Sequence, residues 1–72
     1  MNFEEFEKKI LEKGFGIVGM NHYYINKKPH LFCAVMNTPK QRAFKTEGEK
    51  PEEVFENLYN QIIHWENKNK PS

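Results

Sequence analysis

Apolar side chains recur along this chain with two different periods. Phe3, Phe6, Ile10 and Leu11 are spaced as on one face of a helix, and Val54, Phe55, Leu58, Tyr59, Ile62, Ile63 and Trp65 repeat that spacing near the other end. Between them the spacing shortens to that of strands. Phe15 to Met20 places Phe15 and Ile17 on one side and Val18 and Met20 on the other, and Tyr23-Tyr24-Ile25 resumes the strand composition after a kink expected near Asn21. His30 to Met36 is the strongest strand, and Arg42 to Thr46 a third in which Arg42, Phe44 and Thr46 alternate with Ala43 and Lys45.

Local signals fix the ends. Asn2-Phe3-Glu4-Glu5 has the form of a capping box, and the acids of the first turns and Lys8, Lys9 and Lys13 near the end suit the dipole of a first helix, Phe3 to Lys13. Gly14 supplies the left-handed residue that ends it. Asn26-Lys27-Lys28-Pro29 and Asn37-Thr38-Pro39-Lys40 read as turns. Pro51 at the first helical position, followed by Glu52 and Glu53, opens a second helix to Glu66. Residues 1–66 thus form a single domain, followed by a flexible polar tail over 67–72.

Short turns make the three strands an antiparallel meander, because parallel neighbours need crossovers of about a dozen residues or more. The predicted fold is α+β, helix–meander–helix (αβββα), in two layers with both helices on one sheet face. A three-layer arrangement with one helix on each face is the competing solution, since Leu31, Cys33 and Val35 alternate with Phe32, Ala34 and Met36 so that the central strand is apolar on both sides. In the two-layer fold one apolar face is left over.

The order of elements, with the Glu47-Gly48-Glu49-Lys50-Pro51-Glu52-Glu53-Val54 entry into the last helix, resembles small phage and prophage proteins described as α-β-sandwich domains. That resemblance implies a phage setting and lends no activity. The element order is also similar to double-stranded-RNA-binding domains. Those carry a basic cluster at the start of the last helix, where this chain has Glu49, Glu52 and Glu53 around a single Lys50.

Charge is segregated beneath a net +1: residues 14–46 hold Lys27, Lys28, Lys40, Arg42 and Lys45 and no acid, whereas residues 47–66 hold six glutamates and one lysine. A core of this size is thin, and disulfides within the chain are excluded because Cys33 is the one cysteine. A lone cysteine in an apolar run, no apolar leader after Met1, and no apolar run near the length of a membrane span point to a cytoplasmic protein.

Candidate chemistry is sparse. His30 and Cys33 have a spacing found in metal sites, but on a strand they point to opposite faces, so no metal or cofactor is expected. Without aspartate, and with Ser72 the sole serine, a Ser-His-Asp arrangement is impossible. The least implausible enzyme is a single-histidine ribonuclease with His22 as base beside Lys27 or Lys28, faintly similar to small toxin nucleases. No enzymatic activity is expected.

A binding role fits better. Val18, Met20, Phe32 and Met36, rimmed by Tyr24, Lys27, Lys28 and Arg42, would form an apolar patch for a protein partner or a second copy of the chain. The alternative partner is single-stranded nucleic acid, stacked on Tyr23, Tyr24 and Phe32 among the lysines and Arg42.

Overall fold

A computed structural model describes residues 1–69. Helix α1 (Phe3–Glu12) is followed by strands β1 (Gly16–Ile25), β2 (Lys28–Asn37) and β3 (Arg42–Gly48), then by helix α2 (Pro51–Lys68). The strands form one antiparallel sheet in the order β1-β2-β3. The αβββα order is therefore the observed one, and α2 runs two residues past the expected Glu66, into the segment read as tail. Asn69 caps that helix, and residues 70–72 of the tail lie outside the described residues.

Both helices pack on the same face of the sheet. Phe6 and Ile10 of α1, Val54, Phe55, Leu58 and Ile62 of α2, and Leu31, Cys33 and Val35 of β2 form one buried cluster with Phe15. The rings of Phe6 and Phe55 stack at 4.9 Å between the helices, and Phe15 meets the edge of Trp65 at 5.8 Å. The competing three-layer arrangement is ruled out. Phe32, Ala34 and Met36 alternate with the buried set and lie on the opposite side, which neither α1 nor α2 covers.

The termini of α1 explain how the first layer is held. Asn2 Oδ1 accepts the Glu5 amide at 2.8 Å, the predicted cap. At the other end the Phe15 amide donates to the Ile10 carbonyl and the Gly14 amide to Leu11, with Gly14 at φ +86°. The buried Asn37 then ties this corner to the β2–β3 turn: its Nδ2 donates to the Lys13 carbonyl at 3.3 Å, and its Oδ1 accepts the Lys40 amide at 3.1 Å. A Cβ on Gly14 would stand 2.9 Å from Asn37 Nδ2. Gly14→Ala therefore combines a left-handed backbone with a collision, and should cost about 1–2 kcal/mol or more. A drop in urea midpoint at unchanged m-value checks it.

Two features of the sheet differ from expectation. The kink expected near Asn21 is instead a bulge at Val18: Ile17 pairs with Val35 and Gly19 with Ala34, leaving Val18 as the extra residue of a continuous ten-residue strand. The β1–β2 turn contracts to Asn26-Lys27, both at positive φ, so that Lys28 and Pro29 already belong to β2. Because β3 ends opposite Leu31, residues 23–30 form a two-stranded ribbon beyond it.

Candidate functional site

The pairing register assigns the side chains of the uncovered face row by row. Gly16, Met36 and Ala43 form the first row, and Gly19, Ala34 and Lys45 the second. Asn21, Phe32 and Glu47 form the third, Tyr23 and His30 the fourth, and Ile25 and Lys28 the last, on the ribbon. The first two rows are low. A Cβ built on Gly16 or Gly19 would meet nothing within 4 Å, so the surface beside Ala34 is a shallow hollow. The third and fourth rows stand taller, with three rings on adjacent positions.

Two of those rings, Tyr23 and His30, are fixed by polar contacts. The Tyr23 hydroxyl crosses β2 to donate to Glu47 Oε2 at 2.5 Å, and its ring stacks on His30 with centroids 5.5 Å apart. His30 Nδ1 donates to the Lys28 carbonyl at 3.0 Å, while its Nε2 lies 3.9 Å from Glu49. The bond to the Glu47 carboxylate, with a smaller effect of burial, lifts the Tyr23 phenol above its ordinary pKa. The neutral phenol is the form the fold prefers, so this contribution is complete below the ordinary tyrosine pKa and disappears as pH rises through the lifted one. In an alkaline absorbance titration one of the three tyrosines should ionise late, and Glu47→Gln should return it toward the others.

The predicted patch is divided by this geometry. Phe32 and Met36 lie on the uncovered face as expected, with Met36 39 % exposed. Val18, 60 % exposed, occupies the bulge. Met20 is turned away: past the bulge the parity of β1 inverts, and Met20 pairs with Cys33 and packs on the core. Lys28 points to the uncovered side, Lys27 sits in the ribbon turn, and Tyr24 shares the parity of Pro29 on the ribbon's other side. Arg42 pairs with Asn37 on the helix side, its guanidinium 4.8 Å from the Phe44 ring centroid. Lys40 likewise lies 5.5 Å from the Trp65 ring centroid. Arg42 of the basic rim, and Lys40 beside it, are thus spent on aromatics of the helix side, and Glu47 joins Lys45 on the uncovered face. Tyr23, named only for the nucleic-acid alternative, and His30, Glu47, Gly16 and Gly19, named for neither partner, are what shape it.

The other chemistry stays dispersed. Cys33 is fully buried, and burial alone pushes its thiol upward, away from the reactive thiolate. His22 is exposed at the base of the ribbon, opposite Leu31. Among the described residues, no three His, Cys, Asp or Glu side chains are grouped to hold a metal ion, and no helix is long and apolar enough to cross a membrane. No family model, curated protein or solved structure matches the chain.

Proposed function

We propose that this is a small non-enzymatic binding protein, of phage or prophage origin, that docks a protein, either a different one or a second copy of itself, on the uncovered face of its sheet. The observation that carries the reading is the asymmetry of β2. Leu31, Cys33 and Val35 are sealed under two helices, while Phe32, Ala34 and Met36 hold apolar surface on the side that neither helix covers. Leaving such a plane in water forgoes about 25 cal/mol for every Å² that a partner would remove. The phage setting draws its support from the element order and the glutamate-rich entry to α2.

Charge favours protein over nucleic acid as the occupant. Glu47 and Glu49 stand beside the tall aromatic rows, where a stacked base would bring its phosphates. A protein surface accepts mixed charge at the rim. The test is capture from nuclease-treated cell extract by the wild-type chain and by Ala34→Arg, alongside a salt titration with oligonucleotides. A protein held by wild type and released by the variant supports the reading. A protein captured equally by both, or oligonucleotide binding that weakens steeply with salt, overturns it.

A further inference from the structure

The uncovered face is complementary to itself, and we infer that the protein docked there is a second copy of this chain, related by a two-fold axis that crosses the strands at the level of Met20, Cys33 and Thr46. This inference rests on the docking role proposed above and names the partner. Rotation about such an axis reverses the strand direction while keeping β1 over β1 and β3 over β3. The second row of one copy then faces the third row of the other: Lys45 meets Glu47, and Ala34 meets Phe32. The first row faces the fourth, so that Gly16 lies under Tyr23 and Met36 under His30.

Each of these juxtapositions is favourable for a separate reason. The tall rings of Phe32 and Tyr23 fall on the low surface of Ala34 and Gly16, where the structure leaves open space. Met36 meets an aromatic edge, a contact thioethers favour. Two Lys45–Glu47 pairs, one on each side of the axis, align opposite charges. Glu47 can accept from Lys45 while keeping the Tyr23 bond, because a carboxylate offers about four acceptor sites. No other choice of axis level pairs these two charges. A level one residue away would set Lys45 against Lys45 or Glu47 against Glu47.

Size sets the strength. Four rows on strands about 4.8 Å apart span roughly 14 by 27 Å, so the pair would bury about 1,000 Å² once side-chain relief is counted, the lower end of specific interfaces. The dimer is accordingly a weak one, with a dissociation constant in the micromolar range or above. Its sheets would pack about 10 Å apart as in a sandwich, with the helices on the outside.

Sedimentation of the whole chain tests this through charge reversal at two exposed positions. Wild type should rise with concentration from the 8.6 kDa of one chain toward twice that mass. Lys45→Glu and Glu47→Lys should each weaken dimerisation at least tenfold, because both symmetric pairs become repulsive. An equimolar mixture of the two variants should dimerise again, since every pair across the axis is then opposite in sign. Wild type staying at 8.6 kDa up to about 1 mM overturns the inference. A mixture that stays monomeric while wild type dimerises overturns it as well. Should the chain be monomeric yet still capture a protein that Ala34→Arg releases, the two-fold assembly fails and the docking role stands; loss of both removes that role too.

Discussion

Phe6→Ala is expected to leave the chain largely unfolded at 25 °C. Phe6 is wholly buried, stacks on Phe55 at 4.9 Å, and belongs to the cluster that joins α1 to α2 and to β2. Truncating a buried phenylalanine costs about 3–5 kcal/mol in lost transfer energy and residual cavity. A core this small rarely supplies more than about 3–5 kcal/mol of net stability, and the chain has no disulfide to add to it. The two figures meet, so the substitution should remove the cooperative thermal transition. Phe6→Leu keeps most of the volume and should cost about 1–1.5 kcal/mol, leaving a lower but measurable midpoint. Circular dichroism melts of the three proteins check both statements.

Ala34→Arg is expected to do the reverse: abolish docking while changing stability by less than about 1 kcal/mol. Ala34 is half-buried among Phe32, Met36 and Gly19 on the uncovered side, and the aliphatic stem of an arginine can lie along those neighbours with its head in water. The same charge at Cys33, one residue earlier and fully buried beneath the helices, has no route to solvent and should unfold the protein. Adjacent positions of one strand thus give opposite results, one lost in binding and the other in folding. Paired melts and sedimentation runs on the two variants separate these outcomes.

Much of this arrangement was legible before any coordinates. The spacing of Phe3, Phe6 and Ile10, the cap at Asn2 and the proline at the start of α2 specify both helices, and the two-sided apolarity of β2 announces a face in excess. The composition of that face was less legible. A bulge adds one residue without any obligatory sequence mark, and Gly16, Val18 and Gly19 allow it at several points. Its position decides the parity of everything after it, which is why Met20 lies inward and Tyr23 outward. The alternation Ala43, Lys45, Glu47 continues past Thr46, and following it one step further would have placed Glu47 beside Lys45. Arg42 already shared its parity with the core-facing Phe44. Its place on the helix side was readable from that alternation.

Solvent access of the Ala34 and Met36 methyl groups tests the central claim most directly. Relaxation enhancement by a neutral, freely diffusing gadolinium chelate reports it for each methyl, with Val35 and Leu58 as buried references. The self-docking account predicts strong enhancement at Ala34 and Met36 in dilute solution, falling to the level of Val35 and Leu58 as the protein is concentrated. Enhancement at Ala34 and Met36 that stays equally strong at every concentration would contradict it.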